Sequence, residues 1–109
     1  MVNRLDQAAD ICRAVDLPAV RVMADTFHMS IEEDDLGEAI RAAGGYLAHV
    51  HLADSNRAHP GAGHNDFAGA FGALRDIGFD GYLAMECSIR GDAKRVLPQV
   101  VRRLRSLMG

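Results

Sequence analysis

Three short apolar runs, VRVMAD, LAHVH and GYLAME, recur along this chain, and each is followed by a loop and then a helix-like stretch. They end on Asp25, His51 and Glu86, spaced 26 and 35 positions apart (25 to 51, then 51 to 86). Strands that alternate with helices of this length imply βαβ units and a parallel sheet. Units of about 30 residues repeated eight times come to roughly 240 residues, near the ~250 of a (β/α)8 barrel. A chain of 109 residues holds three such units and one preceding helix. It is therefore expected to be an α/β protein, the C-terminal part of a (β/α)8 TIM barrel, with three parallel strands and about four helices in one partial domain over residues 1–109.

The elements follow from periodicity and punctuation. Leu5, Ala8, Ala9, Cys12 and Val15 lie at helical spacing, with Asn3 as the expected N-cap and Pro18 as a stop. Residues 19–24 are apolar except for Arg21 and read as a buried strand. DTFHMSIEEDD is expected to be a loop, with Ser30 and Glu33 at capping-box spacing ahead of a helix from about Asp35 to Ala43. The acidic run from Glu32 to Asp35 is read as that helix's N-terminus. Leu47 to Leu52 is the second strand, followed by the long loop SNRAHPGAGHND. Asp66 should cap a helix that buries Phe67, Ala70, Phe71 and Leu74. Asp80-Gly81 marks a turn into the third strand, Tyr82 to Glu86. The last helix should run from about Asp92 to Met108, with Val96, Val100, Val101, Leu104 and Leu107 inward and Pro98 breaking or kinking its early part.

A net charge of −3 gives no basic footprint for nucleic acid. No apolar run approaches the ~20 residues of a bilayer span, and the polar start MVNRLDQAAD is not a signal peptide. Two cysteines, Cys12 and Cys87, are too few for a disulfide framework and fit a reducing, cytoplasmic setting.

In a parallel barrel, catalytic groups come from the carboxyl ends of several strands. Asp25, His51 and Glu86 occupy such ends, and one aspartate, one histidine and one glutamate suit a hard or borderline divalent cation. A capping role for Asp25 and a solvated Glu86 are the plainer alternatives. His49 shares a face with His51 and is read as a core or supporting histidine, and His64 as an exposed loop residue. Gly61-Ala62-Gly63 does not lead from a strand directly into a helix, so it is read as a flexible loop rather than a phosphate cradle. Cys87 should point away from the barrel interior.

Several segments resemble the sugar isomerase/epimerase superfamily with a xylose isomerase-like barrel, and within it the ketose 3-epimerases of the tagatose/psicose (allulose) type. Asp25-Thr26-Phe27-His28-Met29 followed by Ser30-Ile31-Glu32-Glu33 is similar to that family's DTFHMNIEE segment. His49-Val50-His51 with Asn56-Arg57, Pro60-Gly61 and Gly63 is similar to its HxH, NR and PGxG segment. Gly72-Ala73-Leu74, Ile77-Gly78 and Asp80-Gly81 are similar to its GALKEIGYDG segment, and Met85-Glu86 to its final ME. The resemblance implies that Asp25, His51 and Glu86 are metal ligands, that Glu86 also moves a proton, and that His28 and Arg57 contact substrate oxygens. It implies a divalent metal, Mn²⁺ first and Co²⁺ or Mg²⁺ as alternatives, and a small ketose or keto-acid substrate. It also implies two further glutamates, a fourth ligand that is the second acid/base and a substrate contact, both before position 1.

Two other outcomes stay open at this point. The chain could serve another member of the superfamily, such as a hydroxypyruvate isomerase, an inosose dehydratase or an endonuclease IV-type enzyme. It could also be a catalytically inert truncated fragment. In either case an open strand edge favours association, as a homo-oligomer or with a complementary barrel fragment.

Overall fold

A computed structural model describes residues 1–109. The chain forms α1 (Leu5–Val15), β1 (Val22–Asp25), α2 (Thr26–Glu32), α3 (Leu36–Ala43), a 3-10 turn (Gly44–Tyr46), β2 (Leu47–Leu52), α4 (Phe67–Asp76), β3 (Tyr82–Met85) and α5 (Ala93–Met108). The strands lie in the order β1-β2-β3 and both pairings are parallel. No helix is long and apolar enough to cross a membrane.

Aspartates start four of the five helices. Asp25, Asp35, Asp66 and Asp92 each accept a backbone N–H from the first turn of α2, α3, α4 and α5. Each cap satisfies a donor that the helix leaves unpaired and is worth about 0.5–2 kcal/mol. The expected Asn3 cap is not made. Gln7 closes the start of α1 from within, its Oε1 accepting N–H groups from Asn3 and Arg4 at 2.9 and 3.0 Å. Ser30 and Glu33 form no capping box either. Ser30 Oγ donates to the Phe27 carbonyl, and Glu33 Oε1 accepts the Leu5 N–H at 2.8 Å, which ties the end of α2 to the start of α1.

The helices cover one face of the sheet. Val22, Ala24, Leu47, Val50 and Leu52 from the strands pack with Ile40 of α3, Phe67, Phe71 and Leu74 of α4, and Val100 and Leu104 of α5 in one buried cluster. The pairing of β1 with β2 is irregular: Val22 faces Leu47 but Met23 faces His49, so Ala48 is an extra residue in β2. Such a bulge reverses the in-out alternation locally, which lets both Leu47 and Val50 bury although they are three apart. Beyond the bulge His49 and His51 share the other face with Met23 and Asp25 of β1 and with Tyr82 and Ala84 of β3. No helix covers that face; Met23 is 51% exposed and Tyr82 83% exposed.

The third strand ends at Met85 rather than Glu86, and three further features differ from expectation. The first strand is Val22–Asp25 rather than residues 19–24. Val20 N–H closes a turn onto the Leu17 carbonyl, and the Arg21 guanidinium donates to the carbonyls of Gly45, Tyr46 and Leu47 instead of entering the core. The segment expected as a loop after β1 begins with α2, a fifth helix, whose only buried residues are Thr26 and Met29. Two buried positions give no periodicity to read, and the helix is held by the Asp25 cap and by tertiary contact. Pro98 lies inside α5, which remains continuous from Ala93 to Met108. Proline removes one N–H bond, to the carbonyl of Lys94. Lys94 is exposed, so water can serve that carbonyl while Val100 and Leu104 keep the helix docked.

Candidate active site

The carboxyl ends of β1 and β2 meet at one row of the sheet, where Asp25 is in register with His51. Asp25 is only 8% exposed, and its two oxygens do different work. Oδ1 accepts the N–H groups of Phe27 and His28 at 3.0 and 3.2 Å and so caps α2. Oδ2 makes no hydrogen bond and faces His51 Nδ1 at 3.7 Å and Arg57 Nη2 at 3.9 Å. The plain capping role and a ligand role are therefore compatible in one side chain.

Arg57 links the loop after β2 to α2. Its Nη1 lies 3.1 Å from His28 Nε2, and its guanidinium carbon sits 4.9 Å from the centre of the Phe27 ring. His28 and Arg57, both expected to contact substrate, thus stand together beside the Asp25–His51 pair. His49 stacks edge-on against His51 with ring centres 5.0 Å apart, which orients the His51 ring, while His64 is exposed.

Glu86 stands apart from that pair. It follows the last residue of β3, donates its backbone N–H to the Leu52 carbonyl at 3.1 Å, and has an exposed side chain. The β3 residue in register with His51 is Ala84, so Glu86 is two residues further along, on the order of 6–7 Å. No group of three or more His, Cys, Asp or Glu side chains is close enough to hold a metal ion. The donor chemistry of Asp25 and His51, a carboxylate oxygen and an imidazole nitrogen facing each other, fits a divalent cation, but these two donors alone form a partial set.

The loop after β2 carries a residue that sequence reasoning missed. Asp54 is 1% exposed and its carboxylate is wrapped by the loop's own backbone. Oδ1 accepts N–H groups from Ser55 and Asn65 at 2.8 and 2.9 Å, and Oδ2 accepts the Gly61 N–H at 2.7 Å. Burial pushes this carboxyl up, but the N–H groups of Asn65, Ser55, Gly61 and Gly63 favour the charge and hold it below the usual carboxylate range. Gly61-Ala62-Gly63 is thus a built cradle for an internal anion rather than a flexible loop. A Cβ on Gly63 would lie 2.6 Å from Asp54 Oδ1 and from Ser55 Oγ, so only glycine lets the backbone come this close. The signal was present as an acidic residue two positions after the end of an apolar strand, in the same loop as a Gly-x-Gly seven residues on.

Thr26 and Asn65 join this loop to the end of β1. Thr26 Oγ1 donates to the Ala53 carbonyl at 2.6 Å and accepts the Ala53 N–H at 2.9 Å. Asn65 Nδ2 donates to the carbonyls of Thr26 and Ala53 at 3.1 and 3.2 Å. Cys87, next to Glu86, is a free thiol whose pKa is raised by burial first and by the neighbouring Glu86 carboxylate second.

Comparison with known proteins agrees with this fold. The D-psicose 3-epimerase of Ruminiclostridium cellulolyticum is 44% identical over 90 residues, which is 83% of this chain and 31% of that protein. The 3-dehydro-D-guloside 4-epimerase of Escherichia coli is 39% identical over 92 residues, 84% of this chain and 35% of that protein. The chain therefore spans about a third of the length of these curated relatives. A D-psicose 3-epimerase structure with D-tagatose from Clostridium cellulolyticum H10 superposes with a TM-score of 0.91 at 35% identity, covering 99% of this chain and 45% of that one. Residues 1–107 match the model of the xylose isomerase-like TIM barrel family. With its three parallel strands, its helices on one sheet face and its polar groups at the strand ends, the chain belongs to the xylose isomerase-like TIM barrel family.

Proposed function

We propose that residues 1–109 supply part of the active site of a metal-dependent sugar epimerase acting at C3 of a ketose. The observation that carries this reading is the group at the ends of β1 and β2: Asp25 Oδ2 facing His51 Nδ1, with Arg57 and His28 beside them. Asp25 and His51 would hold a divalent cation, Mn²⁺ or else Co²⁺ or Mg²⁺; Glu86, just after β3 and beyond their row, would have to turn toward them to serve as a third ligand. When bound, such a cation polarises the sugar carbonyl and its neighbouring hydroxyl and so lowers the cost of carbanion charge at C3. The Arg57 guanidinium, which donates to His28 Nε2, and the His28 imidazole stand together beside the Asp25–His51 pair and would bind sugar oxygens. Glu86, with its exposed carboxylate, would remove or return the C3 proton on one face of the sugar. Inverting C3 needs a carboxylate on the other face as well, and none of residues 1–109 is assigned that role. The relative from Escherichia coli is a 4-epimerase, which supports a second reading in which the same groups serve a neighbouring carbon.

Two measurements test the proposal. Titration calorimetry with Mn²⁺ should show weak binding to the wild type and none to His51→Ala; equal affinity in both would remove the site. Proton–deuterium exchange at C3 of fructose, tagatose or ribulose in heavy water should be negligible for this chain alone. It should appear when a polypeptide carrying the remaining βα units is added, and vanish again with Glu86→Gln. Enzyme-like exchange and epimerisation by the isolated chain would show that the account of one carboxylate per face is wrong.

A further inference from the structure

Arg57 has a backbone φ of +60°, a left-handed conformation that residues with a side chain seldom adopt. Something must hold it there: Asn56 Oδ1 accepts the Ala58 N–H at 3.1 Å, and two backbone bonds run to Asp54. The Asp54 carbonyl accepts the Arg57 N–H at 2.9 Å, and the Asp54 N–H donates to the Ala58 carbonyl at 2.8 Å. These two bonds close the tight turn around Arg57. The Asp54 carboxylate, buried and bonded to Ser55, Gly61 and Asn65, fixes the base of that turn and its far flank together. The Arg57 carbonyl in turn accepts the Ser88 N–H at 3.0 Å, in a bridge between Ala58 and Ser88 that reaches the chain just past Glu86.

We infer that Asp54 is a positioning residue: its buried carboxylate holds the turn that keeps the Arg57 guanidinium over Phe27 and against His28 and Asp25. The inference deepens the proposed function, since it rests on Arg57 being the sugar contact, but the placement of Arg57 can be measured without any sugar. An anion built into the loop occupies the N–H groups that a Gly-rich segment would otherwise offer to an external phosphate. The loop is thereby committed to shaping the site rather than binding at its own tip.

The test is nuclear magnetic resonance on the full chain. Packing against Phe27 shifts the Arg57 side-chain signals by ring current, and Arg57→Lys identifies them. Asp54→Asn preserves shape and leaves one oxygen to accept from Ser55 and Asn65, but it turns an NH₂ group toward the Gly61 N–H. The Arg57 signals should then lose at least half of their ring-current shift, and amide exchange at Gly61 and Asn65 should rise at least tenfold. Amides of Phe71 and Leu74 in α4 should keep their protection. If the loop amides exchange faster while the Arg57 signals stay in place, Asp54 is scaffold only and the inference is overturned. Should Asp54→Asn fail to fold, Gly63→Ala carries the same test, because its Cβ displaces the carboxylate without removing the charge; unmoved Arg57 signals there also overturn it. Titrating D-fructose, with Mn²⁺ present, into the wild type complemented by a polypeptide carrying the remaining βα units separates the two readings: no response at Arg57 there counts against the proposed function, whereas the loss of Arg57 placement in Asp54→Asn stands by itself.

Discussion

Replacing Thr26 with valine tests the joint between β1 and the loop after β2. The two side chains have nearly the same shape, so the change exchanges a hydroxyl for a methyl without opening a cavity. Thr26 is 1% exposed and Ala53 is fully buried, and the hydroxyl meets both the N–H and the carbonyl of Ala53. In Thr26→Val the Ala53 carbonyl keeps its bond from Asn65, but the Ala53 N–H is left without a partner and out of reach of water. A buried donor left unsatisfied costs about 1–3 kcal/mol, a figure that already contains the lost bond. With no route to water the upper part of that range, about 2–3 kcal/mol, is expected, which for a chain near 100 residues lowers Tm by roughly 8–24 °C. Thr26→Ser keeps the hydroxyl and loses one buried methyl, worth about 0.8 kcal/mol. Urea unfolding followed by circular dichroism should therefore rank wild type above Thr26→Ser, and Thr26→Ser clearly above Thr26→Val. A valine variant as stable as the serine variant would refute the claim that this hydroxyl carries the joint.

Other consequences concern pH, the thiol and assembly. Because Asp54 titrates below the usual carboxylate range when folded, its stabilisation should be fully present above the unfolded value near 3.9 and be lost as pH falls through the folded value. Acid unfolding of the wild type should thus be steeper below about pH 4 than that of Asp54→Asn, and parallel curves would contradict the assignment. Glu86→Gln removes the smaller of the two causes that raise the Cys87 pKa, so alkylation by iodoacetamide at about pH 8 should speed up but stay slower than that of a free thiol, because burial remains. A rate equal to that of a free thiol would mean that the carboxylate, not burial, governs Cys87. With Met23 and Tyr82 exposed on the uncovered sheet face, light scattering at tens of micromolar should report a dimer or larger species; a monomeric mass with a cooperative melt would count against association.

Residue patterns a few positions long were sufficient for much of this molecule. Apolar runs, aspartate caps and glycine stops place the three strands, α3, α4 and α5 because each signal acts within a turn of helix or along one strand. The motif around Asp25, His51 and Arg57 likewise pointed to residues that the fold does bring together. What only the tertiary structure decided depends on contacts between distant segments. Helix α2 forms because Asp25 caps it and Met29 finds the core, although its own sequence has no readable period. The extra Ala48 in β2 sets which histidines leave the core, and the register of β3 leaves Glu86 beyond the Asp25–His51 row. The loop after β2 looked flexible because its order comes from an anion within it, and from Thr26 and Asn65 bonding across 27 and 39 positions of chain. Such bonds exist only once the strands are paired, since nothing in the local sequence brings their partners within reach.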